Sequence, residues 1–509
     1  MLLDKVQQSV EKFSERNAFN INGKNYTYEQ FAQLVSNIRA LLEEKCKNSN
    51  KLIGVIVNES NDIETYASLY GCLYAGFGYV PINPKNPISR NKSILEQTSI
   101  KTILCSNIDN DVLRIAKSNR VNILNTSELP PAPINLEPPQ VDDNEIAYLL
   151  FTSGSTGIPK GVPITRGNLN AFVNAFFNLG YDVNENDRFM QMFELTFDFS
   201  VVCYTVPLCA GACVYTIPSE GIRFANVYVV LEEQDITFAC MVPSVLSYLK
   251  PYFEDIKLDK LKYSLFCGEI LLDNLAEAWS NCTPNAEIIN AYGPTEATVF
   301  CMVHTWQKEK SKRKIFNDGV CIGKSMKNME AIVVDENLNL LQENEKGELC
   351  LAGHQLTPGY WKDDEKNSQS FFRTKINGIE TIFYKTGDLA FFDSDGDFMY
   401  AGRIDNQVKI QGFRIELAEI EHFAREFVSG CNVAAVGYQN SIGTMQIHLF
   451  VENYDGDTEK IEDYLKSKIP EYMVPSIITI ISSFPLNANG KIDRKELKII
   501  GQNMVLQKA

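Results

Sequence analysis

Apolar residues along this chain fall into short unbroken runs separated by stretches with helical spacing. Residues 52–57, LIGVIV, carry no charged or hydrogen-bonding side chain and predict a strand buried on both faces. Residues 63–73 predict a helix, Thr102–Cys105 another strand, and 112–117 with 121–124 repeat the alternation. Strands alternating with helices predict an α/β fold: a large N-terminal domain of parallel or mixed sheets flanked by helices. Residues 129–140 hold five prolines in twelve positions and predict an extended surface connection. At 391–396, FFDSDG, an Asp-Gly pair between apolar runs signals a hairpin. A second, small α+β unit begins near Gly402-Arg403-Ile404-Asp405. Its pattern predicts a helix over Leu417–Phe427, strands over 433–437 and 446–451, a helix over 461–468 and a strand over 476–481.

Two long runs, 66–85 and 199–219, lack charge until their last residues. A membrane span needs about 20 predominantly apolar residues. Both runs mix in Gly, Pro and hydroxyl side chains, so buried helix-and-strand segments are predicted rather than spans. The first residues, MLLDKVQQSVEKF, are charged and amphipathic and lack the apolar core of a secretion signal, so a cytoplasmic setting is expected. A chain of 509 residues is expected to divide into two or more domains. Its net charge of -16 argues against a nucleic-acid partner, because affinity for phosphate backbones rests largely on Lys and Arg. Thirteen cysteines are scattered without a CxxC pair, and Cys203, Cys209 and Cys213 have no nearby His, so buried reduced thiols are expected rather than a metal site.

Directly behind the apolar run at 146–150 comes FTSGSTGIPKG, residues 151–161. A strand, then a Gly/Ser/Thr loop, then Lys has the chemistry of a phosphate cradle. Glycines such as Gly154 and Gly157 let backbone amides approach phosphate oxygens. Thr152, Ser153, Ser155 and Thr156 offer hydroxyls, and Lys160 supplies charge. The spacing is not that of the Walker loop. Taken alone, the stretch reads equally well as a mobile loop.

TSGSTGIPKG resembles the signature of the adenylate-forming superfamily, which includes amino-acid adenylation domains, acyl- and aryl-CoA synthetases and luciferases. Further matches follow in that family's order: YTYE at 26–29, YVPINP at 79–84, FDFS at 197–200, NAYGPTE at 290–296, GELCLAG at 347–353, YKTGD at 384–388, GRID at 402–405, VKIQGFRIE at 408–416 and NGK at 489–491. The resemblance implies two steps. A carboxylate attacks the α-phosphate of ATP, with Mg²⁺, to give an acyl-adenylate and pyrophosphate; a thiol then displaces AMP. It also implies an ATP and substrate core over residues 1–404, with a small β-barrel-like subdomain, and a mobile lid over 405–509 that carries the catalytic lysine.

By that resemblance Glu296 would hold Mg²⁺ and Thr295 would donate to the α-phosphate. Asn290, Ala291 and Tyr292 match the adenine site, Asp388 would accept from the ribose hydroxyls, and Arg403 would approach the phosphates or ribose. Lys491 would bridge the substrate carboxylate and the α-phosphate. Asp405 matches a hinge about which the lid rotates, delivering Lys491 in one orientation and the 408–412 segment with Lys409 in the other. Read without the motif, Lys491 is a solvated charge and Asp388 an ordinary turn residue.

Asp198 sits in a nearly uncharged stretch, and an isolated carboxylate in an apolar wall is costly unless it meets a cation. The resemblance assigns it the α-ammonium of an amino acid; the plain alternative is a solvated Asp at a helix N-terminus. Phe199, Val202, Leu265, Cys267, Ala291, Val299 and Phe300 match the side-chain pocket, and none is charged, so a small or medium apolar amino acid is expected. FCGE at 266–269 followed by YGPTEATV resembles the D-alanine–carrier protein ligases, whose Cys lies by the substrate methyl; Phe300 and Phe199 are bulkier than that pattern carries. The chain runs eighteen residues past Lys491 without a phosphopantetheine attachment or condensation motif. A freestanding adenylation enzyme related to those of nonribosomal peptide synthesis is therefore expected. Its acceptor would be a separate phosphopantetheinylated carrier protein, with free coenzyme A as the alternative. An acyl- or aryl-CoA ligase, or an inactive scaffold of the same fold, are the competing readings.

Overall fold

The structure is a computed structural model describing residues 1–47, 51–57, 62–154, 156–376, 378–487 and 491–506. The strand–helix alternation builds a six-stranded sheet in the order Asn122–Asn125, Thr102–Cys105, Leu52–Ile56, Gly78–Ile82, Ile146–Thr152, Lys160–Thr165. The first five strands are parallel and the last is antiparallel. Helices Ile63–Tyr74, Ile88–Thr98 and Asn110–Asn119 are the crossovers. All five residues of Leu52–Ile56 are buried, as a run with no polar position requires of a strand covered on both faces.

A nine-stranded sheet lies alongside. Its parallel centre comprises Glu287–Tyr292, Tyr263–Phe266, Phe238–Met241, Arg188–Gln191, Cys213–Thr216 and Asn17–Ile21. The two uncharged runs each become a buried helix and strand: Ile63–Tyr74 with Gly78–Ile82, and Phe199–Ala210 with Cys213–Thr216. No helix among the described residues is long and apolar enough to cross a membrane. The YTYE segment has a structural task. Thr27 caps helix Tyr28–Lys45 in a capping box with Gln30, and the Tyr28 hydroxyl donates to the Ala212 carbonyl at 2.7 Å. The proline-rich run carries neither helix nor strand and is tied to that helix through Gln33, Asn37 and Arg39.

A five-stranded antiparallel sheet follows over Met329–Val334, Gly347–Gly353, Phe371–Ile376, Ile379–Phe392 and Phe398–Arg403, and it contains the hairpin signalled by Asp-Gly. Beyond Asp405 the chain has a core of its own, with Ile415, Ile420, Leu449, Val451, Leu465 and Met473 all buried together. Strands Val433–Gln439, Met445–Glu452 and Ile477–Ile481 form its sheet, and helix Leu417–Phe427 packs on it. The helix expected over 461–468 occupies Thr458–Lys466, because Asp457 caps its start by accepting from the Glu459 amide. A final helix, Arg494–Leu506, was not signalled by the pattern.

Candidate active site

Asp198 stands at the N-cap of helix Phe199–Ala210 without capping it, and is 6% exposed. Burial pushes its carboxyl up to about 6, while a hydrogen bond from Thr295 works against the rise and the charge of Glu296 adds to it. Asp198 is therefore no solvated cap but a buried carboxylate whose charge lacks a full counterion. Lys409 is the cation whose field reaches it, and the same field acts on Cys267 and Glu269. Burial pushes the Cys267 thiol up to about 12, so it stays protonated. The apolar positions of the expected pocket all pack into the core around Asp198. Val202, Leu265 and Phe300 are 0% exposed, Phe199 and Val299 2%, and Cys267 and Ala291 4%.

The glycine-rich loop sits at the edge of the six-stranded sheet, where Ile146–Thr152 turns back into Lys160–Thr165. The segment after Asp405 reaches onto it. Ser153 Oγ donates to the Arg414 carbonyl at 2.8 Å and accepts from the Glu416 amide at 3.1 Å. The Gly154 amide donates to Glu419 Oε2 at 3.0 Å, and Lys160 Nζ donates to Glu416 Oε1 at 3.0 Å. Two carboxylates thus occupy a backbone donor and the lysine of the glycine-rich loop. Gly157 has φ +80, and a Cβ there would fall 2.8 Å from the His422 ring. Thr152 Oγ1 is buried with no partner among the described residues, and Thr156 is exposed. Ser155 lies outside the described residues. Burial pulls the Lys160 ammonium down from its usual range, with the nearby Arg414 charge adding to the effect.

Glu296 is 0% exposed and meets Arg414 Nη1 at 3.1 and 3.2 Å, with the Tyr360 hydroxyl donating at 2.6 Å. Burial would raise its carboxyl, but Arg414 and Tyr360 outweigh that and hold it below the usual range. A buried carboxylate kept ionised by the Arg414 and Lys160 cations has the chemistry to serve as a ligand for a divalent ion that takes its other ligands from phosphates and water.

The hairpin Val408–Ile410/Phe413–Ile415 turns at Gln411 and Gly412, with φ +49 and +85. Two consecutive positive φ values make the tight turn that matches strand twist. The turn docks into the core: the Gly412 amide donates to Glu269 Oε1 at 3.1 Å, and Glu269 Oε2 accepts from the Ser244 amide at 2.8 Å. Phe197 and Phe413 pack at 5.2 Å, and Phe413 stacks on Tyr472 at 4.0 Å. Behind the hairpin lies a cavity of about 470 Å³ lined in part by Asn290, Ala291, Tyr292, Arg403 and Lys409. Lys409 Nζ is 5.8 Å from the Tyr292 ring centre. Asn290 spends its amide N–H groups on the Val320 and Cys321 carbonyls, at 3.1 and 2.9 Å. Asp388 is 3% exposed and accepts from the Tyr292 hydroxyl at 2.5 Å and from Arg403 at 2.6 Å. Arg403 also grips Asp405 through two bonds of 2.6 and 2.8 Å, so the expected hinge is tied to Asp388 through one guanidinium.

The structure thus gathers Asp198, Thr295, Glu296, the loop and Lys409 around one centre, while Lys491 stays apart. It is exposed, with its amide donating to Asn487 Oδ1 at 3.1 Å, and its neighbours Asn489 and Gly490 lie outside the described residues. Sequence reasoning assigned no role to Arg414, Glu416, Glu419, Glu269, Arg90 or Tyr360. Arg414 and Glu416 were visible as charges inside an apolar strand pattern. Arg90, which pairs with Glu419 at 3.2 Å with both side chains at most 5% exposed, gave no local signal.

The sequence profile of AMP-binding enzymes matches residues 6–361. The zwittermicin A synthase ZmaJ of Bacillus cereus is 31% identical over 511 residues, covering 98% of this chain and 94% of ZmaJ. Tyrocidine synthase 1 of Brevibacillus parabrevis is 30% identical over 496 residues, 96% of this chain, but the chain spans only 44% of that relative's length. Among solved structures, the Vibrio cholerae adenylation domain AlmE in complex with glycyl-adenosine-5'-phosphate has the same fold. Its TM-score is 0.86 over 99% of this chain and 98% of AlmE, at 24% identity.

Proposed function

This chain belongs to the AMP-binding enzyme family of adenylate-forming enzymes, and from that membership we propose that it activates a small apolar amino acid as its aminoacyl-AMP and hands the acyl group to the thiol of a phosphopantetheinylated carrier protein in trans. The observation that carries this reading is Asp198. A buried carboxylate with a pKa raised to about 6, bounded by apolar walls, has no use for a fatty or aryl acid but is completed by an α-ammonium.

In the first step a substrate carboxylate oxygen attacks the α-phosphorus of ATP and pyrophosphate leaves. Asp198 holds the ammonium and Thr295, which lines the same small cavity, meets the α-phosphate. The glycine-rich loop with Lys160 holds the outer phosphates, and Lys491 arrives with the lid to neutralise the charge that develops. Glu296 would hold Mg²⁺, whose chemistry is to neutralise phosphate charge. In the second step the thiol attacks the acyl carbon and AMP departs. The orientation described above supports assigning it to this step. The hairpin carrying Lys409 faces the site, Lys491 is withdrawn, and Glu416 and Glu419 lie on the loop that pyrophosphate must first vacate.

ATP–pyrophosphate exchange across both enantiomers of the amino acids, with a few aryl and fatty acids, tests the reading. Exchange driven by an amino acid and lost in Asp198→Ala is expected. Exchange driven by aryl or fatty acids and untouched by that substitution would make the chain an acyl-CoA ligase instead.

A further inference from the structure

The amino-acid site holds a carboxylate for the ammonium, and the positions expected to wall its side-chain pocket are all at most 4% exposed. Phe199 and Phe300 stand where the pocket walls should open, and their ring centres are 6.4 Å apart at 81°. Phe300 is also edge-on to Phe172 at 5.1 Å, and Phe199 lies 4.7 Å from Phe193. The rings satisfy one another in the edge-to-face geometry that aromatic pairs favour. The cavity that reaches Asp198 is about 60 Å³ and is lined by Thr152, Ser153, Phe197, Thr295 and Arg414 among others. It opens toward the phosphate loop, and of the rings around Phe199 it reaches Phe197 but neither Phe199 nor Phe300. The cavity of about 470 Å³ touches the expected walls only at Ala291.

Phe300 is held there by an unusual backbone. Thr298 and Val299 have φ +55 and +70, two consecutive left-handed residues without a glycine, and Val299 is β-branched. The turn folds back onto Gly293, where a Cβ would lie 2.4 Å from the Phe300 Cα. It is closed by the Cys301 amide donating to the Tyr292 carbonyl at 2.9 Å, and Thr298 Oγ1 donates to the Gln355 carbonyl at 2.5 Å. Side chains in a close-packed interior move aside for an added methyl only at a cost.

Resting on the amino-acid reading above, we propose that the substrate is glycine and that Phe300, backed by Phe199, is the residue that sets this choice. A guest without a side chain needs only Asp198 at its ammonium and the α-phosphate at its carboxylate. A methyl on either face of its Cα meets a ring.

The test is ATP–pyrophosphate exchange with glycine, L-alanine, D-alanine, L-serine and L-valine, and with one aryl and one fatty acid, on the wild-type chain and on Phe300→Ala and Phe300→Leu. Wild type should favour glycine over either alanine by on the order of 10²-fold in kcat/KM. Phe300→Ala should shrink that ratio below about tenfold, chiefly by raising alanine and serine turnover, with Phe300→Leu between the two. If the truncated variant does not fold, the wild-type ratio and the leucine variant decide. Wild type turning over either alanine or valine as well as glycine overturns the glycine assignment and leaves amino-acid activation standing. Exchange with aryl or fatty acids alone overturns both.

Discussion

Asp198→Asn separates stability from function at a single atom. Folding raises this carboxyl from 3.8 to about 6 through burial. A rise of that size, at about 1.4 kcal/mol per pKa unit, makes the ionised side chain about 3 kcal/mol unfavourable to the empty fold at neutral pH. Below about pH 4 the side chain is protonated whether the chain is folded or not, and its contribution is fully present. Between there and pH 6 the unfolded chain ionises while the folded one resists, so stability is lost as pH rises; above about 6 the loss is complete. Asparagine keeps the shape and removes the charge. It still accepts from Thr295 but leaves the Phe199 amide facing a donor, which offsets part of the gain. The substituted enzyme should be more stable than wild type by roughly 1–3 kcal/mol at pH 7.5. The difference should vanish near pH 4. In thermal melts this is a rise of roughly 1–3 °C, since a chain this size moves less per kcal/mol than a small domain. Amino-acid-dependent exchange should fall by about 10²–10³-fold, the scale of leaving a buried ammonium unpaired. In wild type, kcat/KM for the amino acid should decline as pH drops below about 6. Asp198→Asn melting below wild type at pH 7.5, or keeping exchange within tenfold, refutes the buried-counterion argument.

Lys491→Ala should cut adenylation by about 10²–10³-fold, the usual scale for one preorganised charge, with no change in melting temperature because the side chain is exposed; normal exchange would remove Lys491 from the first step. Glu416→Gln breaks the half-buried pair with Lys160, 11% and 14% exposed. It should slow thioester formation in single turnover by about tenfold while sparing exchange, since breaking even part of a buried pair's strength amounts to that much. Equal losses in both steps would show that the pair does not belong to one orientation. Gly412→Ala places a Cβ 2.7 Å from Val242 Cγ1 at φ +85. A strain of roughly 1–3 kcal/mol in that docked turn should slow the second step about 5- to 100-fold and leave exchange intact. Loss of exchange in this variant would place the turn in both steps.

Much of the architecture follows from local pattern. The runs at 52–57 and 102–105 were legible as buried strands, and the strand–loop–lysine order at 151–160 suggested the chemistry of a phosphate cradle, because these depend on neighbours in the chain. The lone charge at Asp198 in an uncharged stretch was equally visible, and its chemistry follows from burial alone. What the sequence could not decide was which distant groups meet. Arg414 at Glu296, Glu416 at Lys160 and Glu419 beside Arg90 join residues 118 to 329 positions apart. No periodicity encodes such pairs; they exist because one packing of the segment after Asp405 brings them together. The closure proposed for the substrate pocket is of the same kind. Two phenylalanines could be read as bulky, but only the left-handed turn at Thr298 and Val299, folded onto Gly293, determines that their rings meet and fill the space.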